Sequence, residues 1–146
     1  MKTILINQDS GENKTYSNES IAEFLFNNLD QFGDKLEYIL KAINYAMDPG
    51  RGGFLLIGVE DNEIVGAVVI NKTGMDGYIP SNILVYIAVR SDQRGKGVGK
   101  KLMQQAMANT RGGVALHVEP DNPAKKLYER LGFTNKYLEM RYQPSN

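Results

Sequence analysis

The sequence contains no cysteine and no tryptophan, a single histidine among 146 residues, and no excess of either charge, with 17 basic and 17 acidic side chains. Without cysteine there is no disulfide staple, no thiolate metal site and no thiol nucleophile to carry an acyl group, and the redox compartment stays open. One histidine argues against a Ser-His-Asp triad and against a zinc site of ordinary spacing, so no metal is expected. A formal charge of zero and a pI near 6.6 supply no overall basic field, so nucleic acid and anionic membranes are not expected partners and any phosphate must be held locally. Long hydrophobic runs are missing too. Phe54 to Val59 and Ile64 to Ile70 fall far short of a membrane span, and Met1 to Asn7 lacks the apolar stretch and cleavage site of a secretory signal. The expectation is a cytoplasmic protein folded as one domain over residues 1–146, long enough to build its own core.

What is present divides by periodicity. Thr3 to Ile6 reads as a short strand. Ser20 followed by Glu23 fits a capping box, and Ile21, Phe24, Leu25 and Leu29 recur at helical spacing. Leu36, Ile39, Leu40, Ile43 and Met47 repeat the pattern until Pro49-Gly50 stops it; Phe32, Tyr38 and Tyr45 are read onto this second helix. Gly53 to Val59 and Ile64 to Ile70 then form a β-hairpin around Glu60-Asp61-Asn62-Glu63, and Ile83 to Val89 is a third strand of the same texture. Beyond it come a glycine loop, Arg94 to Lys100, and a helix marked by Leu102, Met103, Ala106 and Met107. Val114 to Val118 reads as a strand. Asn122 can cap a last helix with Pro123 in its first turn, Gly132 can end it, and Phe133 to Tyr142 can add one or two strands.

The glycine loop carries the chemistry. Glycines just before a helix let an anion approach unpaired amides and the positive end of the helix dipole. Two nucleotide motifs fail on inspection. A P-loop needs glycine at Arg94 and serine or threonine at Lys101; a Rossmann fingerprint starting at Gly95 needs glycine at Lys100 and a βαβ unit. Arg94-Gly95-Lys96-Gly97-Val98-Gly99 instead resembles the acyl-coenzyme A loop of the GNAT superfamily of N-acetyltransferases, Arg/Gln-x-x-Gly-x-Gly/Ala. The later run Asn122-Pro123-Ala124-Lys125-Lys126-Leu127-Tyr128-Glu129-Arg130-Leu131-Gly132-Phe133 is similar to that family's second motif.

The resemblance implies an α/β fold with a mixed, mainly antiparallel twisted sheet flanked by helices and splayed between its fourth and fifth strands. It implies acetyl-CoA as cosubstrate: amides of Gly95, Lys96, Gly97, Val98, Gly99 and Lys100 on the pyrophosphate, charge from Arg94 and Lys96, and the backbone of Ile87, Ala88 and Val89 along the pantetheine. Asn122 would contact the same arm, although many members carry their Asn where Asp121 stands here. Tyr128 would be the general acid that protonates the departing thiolate. No carboxylate lies on the strand before the loop, so the base stays open among Glu60, Glu119, His117 and water. His117 is placed within the fifth strand. The implied reaction is direct acetyl transfer to a primary amine of a small molecule, amino acid or peptide. The alternative is a non-catalytic acyl-CoA-binding module. Acceptor contacts are expected from the first two helices and from the loop carrying Lys72, Asp76, Tyr78 and Pro80, and strand edges leave room for a homodimer.

Overall fold

The computed structural model describes residues 1–145. Their contacts group them into two units, one ending at Leu116 and the other beginning at His117.

The first unit is built on a five-stranded sheet in the order β1-β2-β3-β4-β5, formed by β1 (Lys2–Ile6), β2 (Gly53–Glu60), β3 (Glu63–Lys72), β4 (Asn82–Val89) and β5 (Val114–Leu116). The first four are antiparallel neighbours; β5 joins β4 in parallel. Helices α1 (Asn18–Asn28) and α2 (Leu36–Met47) separate β1 from β2, and α3 (Val98–Ala108) separates β4 from β5. The mixed, mainly antiparallel sheet flanked by helices is thus the one the sequence implied.

Local chemistry explains the elements. The cap of α1 is Ser17, whose Oγ accepts from the Ser20 amide at 3.1 Å. The capping box expected at Ser20 therefore lies one turn inside the helix, because Ser17 already has the extended backbone that a cap requires. Helix α2 has no side-chain cap at Lys35. Its order comes from burying Ile39, Ile43 and Ala46, with about 1.5–3 kcal/mol gained per isoleucine. Phe32 lies ahead of α2, in a 3-10 turn over Asp30–Phe32, with Gly33, Asp34 and the cap residue Lys35 between it and the helix. Between β2 and β3, Asp61 (φ 51°) and Asn62 (φ 63°) form the two-residue turn whose handedness matches the twist of a hairpin.

One sheet face packs with α1 and α2 around Ile21, Leu25, Ile43, Ile57 and Val69. On the other face Leu102 of α3 lies so close to β3 that a Cβ at Gly66 would meet its Cδ1 at 2.5 Å. Strand β4 changes faces partway along. Ile70 opposes Leu84 and Val69 opposes Tyr86, leaving Val85 as an extra residue, a β-bulge. Tyr86 consequently packs on the α1/α2 core, whereas Leu84 belongs to the opposite face.

The second unit contains α4 (Ala124–Arg130) and irregular segments. Helix α4 ends in a Schellman arrangement: Gly132 has φ 99°, the Phe133 amide donates to the Tyr128 carbonyl at 3.0 Å, and the two rings lie 6.0 Å apart. Two strand expectations are corrected. The fifth strand stops at Leu116 because its pairing on β4 ends at Leu84, which leaves His117 outside any strand. Phe133 to Tyr142 forms no strand. Tyr137, Leu138, Met140 and Tyr142 are all at least 80% exposed, so the burial that would reward their β-favouring side chains is missing. Among the described residues, no helix is long and apolar enough to cross a membrane.

Candidate functional site

Strand β5 pairs with β4 only over Asn82 to Leu84, so among the described residues no strand lies beside the outer edge of β4 from Val85 onward. The orientation of that edge follows from one hydrogen bond. The Arg90 amide donates to the Val65 carbonyl of β3 at 2.9 Å, so by strand alternation Ala88 and Tyr86 also turn their backbone groups toward β3, while Val89 and Ile87 turn theirs outward. The Val89 carbonyl is indeed taken from outside, by Arg94 Nε at 2.9 Å.

The loop beyond β4 is pinned at both ends. Arg90 holds Asp92 through two bonds, of 2.7 and 3.1 Å, and Glu63 at 3.0 Å; the guanidinium keeps the Asp92 carboxyl below the usual carboxylate range. Arg94 bridges three segments. Besides Val89 it donates to Asp30 Oδ2 at 2.8 Å and to the Asn28 carbonyl at 2.9 Å, so the end of α1 is tied to the loop. The sequence motif points Arg94 only toward phosphate. No local pattern marks Asp30, 64 residues earlier in the chain, as its partner.

Between Arg94 and α3 the backbone is open. Gly95 (φ 76°) and Gly97 (φ 81°) are left-handed, and a Cβ on either would meet nothing within 4 Å. Gly97 caps α3 without a side chain. The first amide to close an α-helical bond is that of Lys101, onto the Gly97 carbonyl at 3.0 Å, so the amides of Val98, Gly99 and Lys100 have no partner within the helix. Lys96 and Lys100 are exposed beside them. This donor set, with free space above it and the positive end of a helix dipole behind it, fits a diphosphate. The site is an open strand edge followed by a loop of free amides. Cavities of about 330 Å³ beside Ser10–Thr15 and about 480 Å³ at the start of β4 lie elsewhere.

Tyr86 reaches Asp34, with its hydroxyl 3.0 Å from Oδ2. Burial first, then that hydrogen bond and charge, raise its pKa well above the ordinary tyrosine value. Nothing in the sequence links two residues 52 positions apart.

In the second unit Tyr128 is 6% exposed, and burial pushes its pKa up to about 12. Asn122 Oδ1 accepts the Ala124 amide at 2.9 Å, the capping contact expected of it, which leaves its Nδ2 to donate elsewhere. His117 is exposed and 4.0 Å from Glu139. Glu60 and Glu119 are exposed. Of the residues considered for an acceptor, Tyr78 is 81% exposed, Tyr38 stands between Lys35 and Lys41, and Tyr45 donates to the Lys72 carbonyl at 2.6 Å. Among the described residues, no three His, Asp or Glu side chains gather as metal ligands.

The family described as Acetyltransferase (GNAT) domain matches residues 51–135, which include β4, the glycine loop and α4. A protein of Pseudomonas phage PaMx11 named 5-NmdU N-acetyltransferase is 34% identical over 84 residues, or 56% of this chain; the chain spans 58% of that relative's length. Among solved structures, a possible acetyltransferase from Clostridium difficile 630 superposes with a TM-score of 0.69 at 18% identity, covering 99% of this chain and 98% of the other. The aminoglycoside N-acetyltransferase AAC(6')-Iy, solved in complex with CoA, gives 0.69 at 18% identity, covering 99% and 95%. At these identities the structures establish a common fold.

Proposed function

Because the chain belongs to the GNAT acetyltransferase family, we propose that it transfers an acetyl group from acetyl-CoA to a primary amine by direct attack in a ternary complex. The observation that carries this reading is the unpaired outer edge of β4 running into a loop of free amides. In it, an extended pantetheine arm pairs with the edge of Ile87 to Val89 as an added strand, and an outward N–H of Ile87 or Val89 polarises the thioester carbonyl. The amides of Gly95 to Lys100 take the diphosphate, aided by the charge of Lys96 and Lys100. Arg94 serves mainly by holding the loop, since its guanidinium is already committed to three acceptors.

Acetyl-CoA brings the activated acyl group and a thiolate leaving group. The chain contributes binding, carbonyl polarisation and a proton. Asn122 can offer Nδ2 to a pantetheine carbonyl, which the carboxylate of Asp121 cannot do, so Asn122 is assigned that contact. Tyr128 supplies the proton: a hydroxyl held neutral past pH 10 remains a donor throughout the physiological range. The acceptor assigned to the amine proton in this reading is water. The names of the relatives share a nitrogen acceptor and nothing finer, so the acceptor is given as a primary amine.

Calorimetric titration with acetyl-CoA and with CoA tests the donor half. Micromolar binding is expected, and absence of heat with both overturns the reading. A mass-spectrometric screen of pooled amines and peptides with acetyl-CoA then tests transfer. Binding without any acetylated product favours a non-catalytic acyl-CoA-binding module.

A further inference from the structure

A second site lies at the other end of α3 and β4 from the glycine loop, about 16 Å away along the helix. It is the cavity of about 480 Å³ where β2 begins, β3 ends and α3 gives way to its C-terminal loop, and three cationic residues line it: Arg51, Lys72 and Arg111. In a chain with no net charge, three cations on one concavity call for partners, and none of them pairs with a carboxylate among the described residues. Among the described residues, Asp76 is the only acidic one on the cavity wall.

The frame beneath these cations is rigid. Tyr45 donates to the Lys72 carbonyl at 2.6 Å and carries the Arg51 guanidinium over its ring, 5.3 Å from the centroid. Lys72 is paired with Asn82 across β3 and β4. Asn82, only 3% exposed, sends Nδ2 to the Arg111 carbonyl at 2.7 Å and to that of Gly113 at 3.2 Å. The three backbone positions are thus fixed to one another through a buried amide and a tyrosine hydroxyl, while Arg51, Lys72 and Arg111 are themselves exposed. Like charges left together in this way disfavour the free protein slightly and favour an anion that neutralises them.

We propose that this cavity binds a phosphate-bearing ligand, with Arg51, Lys72 and Arg111 as its charge-bearing contacts. The phosphate can come from a free mononucleotide or from the backbone of a nucleic-acid strand, and the test separates the two. The site does not depend on the acetyltransferase reading, because it shares no residue with the glycine loop.

Inorganic phosphate, dUMP and a fluorescein-labelled single-stranded dT12 are titrated at low salt into the intact protein and into the triple variant Arg51→Gln, Lys72→Gln, Arg111→Gln, with circular dichroism and melting to verify folding. Binding of at least one probe is expected, weakened about tenfold or more in the triple variant. If dT12 is the ligand, neutralising three contacts flattens the log–log salt slope by about 2. Comparable affinity for dUMP and dT12 assigns the site to a mononucleotide; much tighter dT12 assigns it to a strand. Asp76→Asn should tighten binding about twofold or more by removing a like charge, a gain that damage to the fold does not mimic. Lys96→Gln with Lys100→Gln should weaken only the probe binding that the glycine loop contributes, while the component lost in the triple variant persists, which separates the two sites. No binding of any probe, or equal binding by the triple variant, overturns the proposal.

Discussion

Tyr128 shows how one side chain answers to two demands. Its ring closes the end of α4 against Phe133, and its hydroxyl is the proposed proton donor. Tyr128→Phe keeps the ring and removes the proton, so turnover should fall about 10²-fold while CoA affinity, read by calorimetry, stays within about twofold. The same burial makes stability pH-dependent. The native state keeps the Tyr128 proton up to about pH 12, whereas an unfolded tyrosine releases it near 10; native Tyr86 is raised in the same direction. This contribution is fully present below pH 10 and is lost as pH rises through 12. Melting temperatures at pH 8 and pH 11 should therefore differ less for Tyr128→Phe than for the parent. Arg94 divides differently. Its pair with Asp30 is half exposed, so Arg94→Gln should cost about 1 kcal/mol or less in stability, yet CoA affinity should fall several-fold as the loop loses its ties. Arg94→Lys should fail to restore it, because an ammonium cannot reproduce the three-way fork. The glycine loop and α4 were legible in the sequence because their geometry is written in adjacent residues. Asp30, Asn28 and Asp34 were not, because their partners come from folding.

Among elements, the hairpin from β2 to β3 was read nearly to the residue: two apolar runs flank a polar tetrapeptide, and both central residues adopt left-handed φ. Such turns favour glycine at the second position, so Asn62→Gly should raise the melting temperature, by about 0.5–1 kcal/mol of stability. Strand β4 was located correctly, but its alternation misleads. Counting in twos puts Leu84 and Tyr86 on one face, and the bulge at Val85, a property of pairing with β3, puts them on opposite faces. The stretch from Phe133 to Tyr142 misled in the other direction. Its composition favours strand, but composition supplies no partner, and the described backbone there is irregular.

At the scale of the whole chain, an overall charge of zero hides an uneven distribution. Arg90 and Arg94 are satisfied by Asp92, Glu63 and Asp30 around the glycine loop, while among the described residues Arg51, Lys72 and Arg111, at the far end of the sheet, pair with no carboxylate. Composition reported the sum, and no one-dimensional count could report the separation. The sheet is uneven as well. Eight residue pairs join β2 to β3, but three join β5 to β4. In deuterated water the label should therefore enter Val114 to Leu116 well before the centre of β3, because releasing a margin held by so few rungs requires little of the remaining lattice to open.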